Sequence, residues 1–355
     1  MLTMKKKTTS LVGLDIETGS IAATEINGDG RAVGKTAIAP LDPGIVTEGE
    51  IRDTAALAQA LETMFAEYKL GRRVRVGIAN QRVVVRTIEL PLIEDPDEVD
   101  SAVRFRAQEQ LPMPLDQAVL DHRVIARREG DEGQKQMDVL AVAARRDMVT
   151  TVLQTLRDAG LQPAGIDLAA FGMIRALDGG QPAAAADEGM PPVTTLYCHL
   201  GDVTNLAVAR AGECIFTRVA PFGVESIAER LAQREEISTE DARESLMEVG
   251  LEESLEFFAE EESDVTAARE VLEEGTTKLV DEVRLTLDFY GAQEGVAPVD
   301  RVVICGEGST IPGLPERIQS GLGLGLSVET PAALSHLDEE DAARLTVSYG
   351  LARED

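Results

Sequence analysis

The chain has 355 residues, and at about 150 residues per domain this length predicts two domains or more. Apolar residues make up 44% of it and aromatic residues only 3%, so a sizeable core must be built from Ala, Val, Leu and Ile. The net charge of −29 argues against a general nucleic-acid binder, which needs a basic surface, and the lack of any run of about 18 apolar residues rules out a transmembrane helix.

The start of the chain and its cysteines both favour the cytoplasm. Lys5, Lys6 and Lys7 imitate the basic start of a signal peptide, but acidic residues follow where an apolar stretch is needed. The three cysteines are too few for a disulfide framework and lack the CxxC spacing of a zinc site. We therefore expect a reducing compartment.

A weak internal repeat is the most informative feature of the sequence. Residues 11–28 (LVGLDIETGSIAATEING) align with residues 195–212 (TLYCHLGDVTNLAVARAG) at an offset of 184. Each segment has an apolar strand, a turn of small polar residues and a second alternating strand, which is the pattern of a β-hairpin. Two such hairpins indicate a duplicated domain, and a chance resemblance of two hairpins is the alternative.

Strands and helices alternate between the two hairpins. The patterns predict a helix over 54–68, strands over 74–78 and 83–88, a helix that starts at Pro96 and stops before Pro112, strands over 119–126 and 137–144, and a helix over 147–159. Asp95 is the expected cap of the second helix. In the third helix, Val149, Leu153 and Leu156 are expected to face inward. Residues 178–192 are expected to be a low-complexity linker.

After its hairpin, the second half continues with a helical region over about 224–291. Its last helix carries Leu279, Val283, Leu287 and Tyr290 on one stripe, which indicates core packing. The segment 299–314 (VDRVVICGEGSTIPGL) then predicts a buried strand, a glycine turn and a helix that begins near Pro312. A strand over 326–328 and an Ala-rich helix over 339–352 complete the chain.

Charge is distributed unevenly along the chain. Residues 235–274 hold sixteen acidic and two basic residues, Arg243 and Arg269, which is typical of a solvated helical face. Residues 69–86 hold six basic residues and no acidic one. That stretch is either ordinary strand surface or a docking surface for an acidic or membrane-proximal partner.

The glycine turn after the late strand is a candidate phosphate site. Glycines let backbone N–H groups approach an anion, and a following helix start favours negative charge. Alone, the GEGS sequence of residues 306–309 is a weak signal and fits an ordinary tight turn better than a phosphate site. Together with the two hairpins, however, it gives the layout of the actin-like ATPase fold.

Six segments, in order over almost the whole chain, carry a resemblance to a known family. They are VGLDIETGSIAATEI (12–26), IELPLIEDPDEVDSAVRFRAQEQLPMPLDQAVLDHRVI (88–125), VLAVAARRDMVTTVLQTLRDAGLQPAGIDLAAFGMIRAL (139–177), LDFYGAQ (287–293), VVICGEGSTIPGL (302–314) and LTVSYGLA (345–352). Together they resemble the PilM family of actin-like type IV pilus assembly proteins, which is related to the division protein FtsA. The most specific part of the resemblance lies within residues 88–125.

The resemblance implies an α/β, two-lobed, duplicated actin-like fold with a small α+β subdomain inserted in the first lobe. The first lobe would span 8–177 with the insertion at about 89–150, and the second lobe would span 193–355 with the acidic helical subdomain at about 224–291. The family binds ATP with magnesium in the cleft between the lobes. The matching nucleotide-site residues are Asp15, Thr18, Gly19, Ser20, Gly201, Asp202, Thr204, Asn205, Gly223, Gly306, Gly308 and Ser309, with Asp15 and Asp202 at the metal.

The sequence departs from the family pattern at this nucleotide site. Where the family has Asp-Ile-Gly in the first hairpin, this chain has Asp15-Ile16-Glu17, and Ala22 replaces a Lys that is frequent in the family. In the second hairpin, His199-Leu200-Gly201 replaces the same Asp-Ile-Gly. Glu307 stands between Gly306 and Gly308, where the family has three consecutive glycines. In the acidic helical region, no Lys aligns with the one that contacts the ribose in the family. Two like charges about 4 Å apart repel by roughly 4 kcal/mol at an effective dielectric of about 20. We therefore expect a degenerate site that hydrolyses nothing, or one that binds ATP weakly without useful turnover, unless Glu17 points outward and His199 contacts a phosphate instead.

The resemblance also implies a partner. PilM-like proteins bind the short cytoplasmic tail of PilN, an inner-membrane protein, in a groove between the first subdomain and the inserted one. We expect Phe105 to be an exposed anchor there, with Arg86, Arg104 and Arg106 supplying charge. The protein would be cytoplasmic, recruited to the inner face of the membrane through this partner, without inserting into it, and self-association is possible.

Two other functions compete with this scaffold. One is an active actin-like ATPase whose cycle drives assembly. The other is an FtsA-like division protein, which would need a basic amphipathic anchor at its end, whereas this chain ends SYGLARED.

Overall fold

The computed structural model describes residues 10–27, 32–129, 133–178, 192–252, 263–293 and 295–353. Its strands are β1 Leu11–Ile16, β2 Ser20–Ile26, β3 Val33–Pro40, β4 Val46–Thr47, β5 Glu50–Ile51, β6 Arg73–Ile78, β7 Val83–Pro91, β8 Ala118–Glu129, β9 Lys135–Arg145, β10 Gln162–Leu168, β11 Thr194–Leu200, β12 Thr204–Arg210, β13 Glu213–Ala220, β14 Arg301–Cys305 and β15 Leu326–Val328. Its helices are α1 Thr54–Glu67, α2 Pro96–Gln110, α3 Arg146–Asp158, α4 Ala169–Leu177, α5 Val224–Glu235, α6 Thr239–Val249, α7 Ser263–Gly291, α8 Leu314–Leu322, α9 Glu339–Arg344 and α10 Thr346–Ala352.

Two five-stranded sheets share one topology. The first has the order β10-β6-β1-β2-β3 and the second the order β13-β12-β11-β14-β15. In each, an antiparallel hairpin (β1–β2 or β11–β12) is extended by a third antiparallel strand on one side and by two parallel strands on the other. We call the halves built on these sheets the first and second lobes. The duplication predicted from the repeat and the two-lobed α/β fold implied by the family resemblance are both confirmed.

An α+β subdomain is inserted in the first lobe. Its sheet has the order β7-β9-β8, with all pairs antiparallel. Helix α2 buries Val99, Val103 and Ala107 against one face of this sheet. Asp95 caps the helix as predicted, because its Oδ1 accepts the backbone N–H of Asp97 at 2.9 Å.

Each lobe has its own apolar core, and a further cluster joins the two lobes. The predicted stripe on α7 is confirmed, since Leu279, Val283 and Tyr290 are buried and Leu287 is partly buried against the second-lobe core. The joining cluster lies around α4 and α10 and includes residues of β11 and β14. Helix α10 also packs tightly on β1: a Cβ added at Gly13 would overlap the carbonyl oxygen of Ser348.

Three local expectations need correction. In α3, the buried side chains are Val152, Thr155 and Leu156, whereas Val149 and Leu153 are only half-buried. Helix α8 begins at Leu314, because residues 307–310 form a short 3₁₀ turn first. The predicted terminal helix is divided at Leu345 into α9 and α10.

Some predicted features lie outside the described residues, namely Lys5, Lys6 and Lys7, most of the linker at 179–191 and part of the acidic stretch at 253–262. Within the described ranges, no helix combines the length and the apolar character needed to cross a membrane.

Candidate functional site between the lobes

The turns of the two repeated hairpins meet at the cleft between the lobes. The backbone N–H and the hydroxyl of Thr18 donate to Asp202 Oδ2 at 2.9 and 2.7 Å, and these residues are 184 positions apart, which is the repeat offset. The other oxygen, Oδ1, accepts the N–H of Val203 at 2.6 Å. Three donors therefore hold the Asp202 carboxylate, two of them from the opposite lobe.

Asp15, Glu17 and His199 form a cluster beside this link. Asp15 and His199 occupy equivalent positions of the repeat and are 7% and 4% exposed. One ligand atom from each of the three side chains lies within 4.8 Å of the others. Glu17 Oε1 is 3.6 Å from His199 Nδ1 and is so close to Gly201 that a Cβ there would overlap it. Glu17 therefore points across the cleft to the second lobe, not outward.

Burial dominates the electrostatics of this cluster. It raises the pKa of Asp15 to about 7, with a further contribution from the neighbouring Asp202. It also raises the pKa of Glu17 well above its usual value, helped by the charges of Asp202, Asp15 and Glu307. Burial lowers the pKa of His199 to about 4, so this imidazole is neutral at physiological pH. Burial raises the pKa of Asp202 in spite of its hydrogen bonds from Thr18 and Val203.

A cavity of about 240 Å³ opens next to the cluster. Its charged lining consists of Glu17, Asp202, Glu225, Glu240, Glu307, Arg243 and Arg344. Arg243 pairs with Glu225 at 2.8 Å and with Glu240 at 2.5 Å. Arg344 pairs with Glu307 at 2.6 Å and with Glu340 at 3.0 Å. Both arginines that line this cavity are thus already neutralised by carboxylates.

The first hairpin turn and the late glycine turn face this region. Ser20 lines the cavity, and Gly19 lies under Arg243, whose Nη2 would be 2.5 Å from an added Cβ. Gly306 has a φ of +87°, and an added Cβ would be 2.8 Å from the ring of His199. Ser309 is turned inward, where its hydroxyl donates to the Gly306 carbonyl at 2.7 Å.

The remaining predicted site residues pack within the second lobe. Gly308 packs against Val224, and an added Cβ at Gly223 would overlap the backbone oxygen of Asp202. The hydroxyl of Thr204 donates to the Phe222 carbonyl at 2.7 Å. Asn205 is 2% exposed, and its Oδ1 has no hydrogen-bond partner among the described residues.

The predicted docking residues lie on the α2 side of the inserted sheet. Phe105 is 64% exposed, so its expected exposure is confirmed. Arg104 pairs with Asp100 at 2.8 Å, and Arg106 lies 3.8 Å from Glu109. Arg86 is on the same face of the sheet, because its register partner Ala141 belongs to the core under α2.

A groove of about 340 Å³ lies on the opposite face of that sheet. One wall is formed by β8 and β9, and the other by α3, β10 and α4. Its apolar lining includes Val119, Leu140, Val142, Val149 and Phe171. Polar residues border it, among them Arg123, which lies 3.2 Å from Glu213 of the second lobe. The groove therefore separates the inserted subdomain from the rest of the first lobe.

Sequence reasoning missed the paired arginines of the cleft. Arg344 and Glu307 are 37 residues apart, and nothing in the local pattern joins them. Arg243 could have been noticed, because it is one of two basic residues in the acidic stretch 235–274 and is therefore a candidate for an ion pair.

Two lobes of equal topology around a central cleft define the actin-like ATPase fold class. Solved structures of MreB5 of Spiroplasma citri bound to ADP and of the ethanolamine utilization protein EutJ from Carboxydothermus hydrogenoformans share this fold. Their TM-scores are 0.54 and 0.53 at 13% and 14% identity, over 97% of this chain and 95% and 89% of theirs.

Residues 13–352 match the family of the type IV pilus assembly protein PilM, and the chain belongs to that family. The solved PilM-PilN type IV pilus biogenesis complex is similar over 97% of this chain and 98% of the matched one, with 25% identity and a TM-score of 0.79. The resemblance read from the sequence is confirmed.

Proposed function

We propose that this protein is a cytoplasmic actin-like scaffold of type IV pilus assembly, or of a related envelope machinery, that binds the N-terminal tail of a PilN-like inner-membrane protein. The observation that carries the proposal is the similarity to the PilM-PilN complex over nearly the full length of the chain. The tail would recruit the protein to the inner face of the cell membrane.

The groove between β8–β9 and α3–α4 is the proposed docking site for this tail. It lies between the inserted subdomain and the first lobe, where the family resemblance places the partner. Its apolar floor suits a short segment that is disordered until it binds and that gains affinity from a few buried anchors. Paired charges at the border, such as Arg123 with Glu213, supply polar contacts that set the register.

Phe105 with Arg86, Arg104 and Arg106 is the competing docking surface. These residues lie on the other side of the inserted sheet, and Arg104 and Arg106 are near acidic neighbours of their own helix. One bound segment of a few residues does not span both faces. The docking role of Phe105 stays a prediction, and it is separable from the groove by mutation.

The second part of the proposal is a degenerate nucleotide site. A triphosphate in the cleft would meet the carboxylates of Glu17 and Glu307, while Arg243 and Arg344 are already paired with glutamates. The cavity of about 240 Å³ is smaller than the roughly 300–1,000 Å³ of typical ligand sites. Asp202, the expected magnesium ligand, accepts three hydrogen bonds. The residues present do not fit magnesium-ATP, which disfavours the alternative of an active ATPase.

Binding of a fluorescent peptide with the sequence of the partner's cytoplasmic tail tests the docking proposal. Val149 is half-buried, lines the groove and lies in the first turn of α3, where an aspartate is tolerated by the helix dipole. We expect Val149→Asp to weaken peptide binding about tenfold or more, because a charge enters an apolar contact. Phe105→Ala tests the competing surface: docking in the groove predicts a change of less than about twofold, whereas an anchor on α2 predicts a clear loss of binding.

The two variants also separate the two surfaces. Loss of binding with Phe105→Ala and normal binding with Val149→Asp would place the tail on α2 and contradict the groove. The melting temperature of each variant shows whether a loss of binding reflects a loss of folding.

A further inference from the structure

A second, smaller cavity of about 20 Å³ lies beneath the cleft. Asp15, Glu17, His199, Asp202 and Asn205 are among the residues that line it. A cavity needs about 10–15 Å³ of such volume to hold one water-sized particle, so there is room for a single ion. The proposed scaffold function does not use this cavity.

One cluster of possible metal ligands occurs among the described residues, and it consists of Asp15, Glu17 and His199. One ligand atom from each side chain lies within 4.8 Å of the other two. Three equally spaced ligands around one metal ion, each about 2.0–2.2 Å from it, are at most about 3.5–3.8 Å apart. Glu17 Oε1 and His199 Nδ1, at 3.6 Å, already have this spacing. Side-chain movements of up to about 1 Å would therefore bring all three ligand atoms onto one ion.

Asn205 provides an independent observation. Its side chain is 2% exposed, its Oδ1 has no hydrogen-bond partner in the described part of the chain, and it lines the same small cavity. A buried polar atom without a partner destabilises the fold, because nothing offsets the loss of its hydration. An ion in the cavity would supply the missing partner.

The charges of the neighbouring side chains also favour a bound cation. Buried carboxylates are normally paired with a cation or coordinate a metal. Asp15 is 7% exposed. Arg344 is the cation whose charge acts on Glu17, but it also pairs with Glu307 and Glu340. A divalent ion would compensate both carboxylates of the cluster.

We propose that Asp15, Glu17, His199 and Asn205 bind one divalent first-row transition-metal ion that links the two lobes. Two carboxylate oxygens, one imidazole nitrogen and one amide oxygen suit Zn²⁺, Mn²⁺ or Fe²⁺, whereas magnesium and calcium prefer oxygen ligands alone. Asp15 and Glu17 belong to the first lobe, and His199 and Asn205 to the second. The ion therefore fixes the angle between the lobes without a nucleotide.

Metal-stripped full-length protein titrated with Zn²⁺ tests this inference. We expect one equivalent to bind in competition with a chromophoric chelator and to raise the melting temperature, and Co²⁺ to give a visible absorption band from an imidazole-containing site. Mn²⁺ binding at one equivalent with the same dependence on variants also supports the site. ATP is absent throughout.

His199→Ala and Glu17→Gln should each weaken Zn²⁺ binding by at least about tenfold, because the loss of an outer-shell partner alone already costs about 10–100-fold. His122→Ala is the matched control, because His122 Nδ1 also lies near a carboxylate, 3.9 Å from Asp100, but outside any such cluster among the described residues. Glu17→Gln keeps the shape of the side chain, so it remains informative if His199→Ala does not fold.

Two outcomes would overturn the inference. One is the absence of any melting-temperature shift or bound equivalent with Zn²⁺, Mn²⁺ and Co²⁺. The other is one-equivalent binding that persists in both His199→Ala and Glu17→Gln. Neither outcome bears on tail binding at the groove, so the proposed function is tested separately.

Discussion

The bond between Thr18 and Asp202 predicts a measurable coupling between the two lobes. Thr18→Val removes the hydroxyl that donates to Asp202 Oδ2 at 2.7 Å, while the backbone N–H at 2.9 Å remains. A hydrogen bond to a charged group contributes about 1.5–3 kcal/mol. Because valine has nearly the shape of threonine, we expect a loss of about 2 kcal/mol in the free energy of unfolding.

Asp202→Ala should lower the free energy of unfolding by less than the sum of the contributions of its three hydrogen bonds. The Asp202 charge also raises the pKa values of Asp15 and Glu17, so its removal relieves a repulsion. A double-mutant cycle between Thr18→Val and Asp202→Ala isolates the shared bond. We expect a coupling energy of about 1.5–3 kcal/mol.

Thermal unfolding of the metal-stripped protein is the assay. For a unit the size of one lobe, 1 kcal/mol corresponds to about 2–4 °C in melting temperature, so Thr18→Val should lower it by about 4–8 °C. Thr63→Val is the control, because the Thr63 hydroxyl bonds only within the exposed face of α1. Equal, small shifts for Thr18→Val and Thr63→Val would refute the reasoning.

Two further variants test the account. Arg269 is 1% exposed on its side chain and donates to the Gly250 and Leu251 carbonyls. Arg269→Ala leaves both carbonyls without this donor, so urea unfolding should show a loss of about 2–6 kcal/mol in the free energy of unfolding, at about 1–3 kcal/mol for each group. A loss below about 1 kcal/mol would contradict the packing of α7. Glu17→Gly with His199→Asp removes one acidic side chain that would face a triphosphate and restores the Asp of the family pattern, so calorimetry should detect tighter magnesium-ATP binding than in the unsubstituted protein. No gain in affinity would mean that Glu307 and the paired arginines still block the cleft.

The sequence was informative wherever one local pattern decides the structure. The offset of 184 residues located both hairpins, because alternating apolar residues around a small turn define a hairpin without help from the rest of the chain. Asp95 before Pro96 located the start of α2 for the same reason. The apolar face of α2 and the exposure of Phe105 followed from helical spacing.

Contacts between distant segments could not be predicted in this way. The direction of Glu17 depends on His199 and Gly201, which belong to the other lobe. The groove needs α3, α4 and the inserted sheet together, and Val149 is half-buried because it faces that groove and not a core. Helical spacing identifies an apolar face but not the element that covers it.

The most direct test of the account measures the affinity for the partner's tail peptide with and without saturating magnesium-ATP, while phosphate release is monitored. The account predicts the same dissociation constant within about twofold in both conditions and no steady release of phosphate, because the proposed partner groove is separate from the cleft that the paired charges line. Peptide binding that requires ATP, or steady hydrolysis, would contradict it.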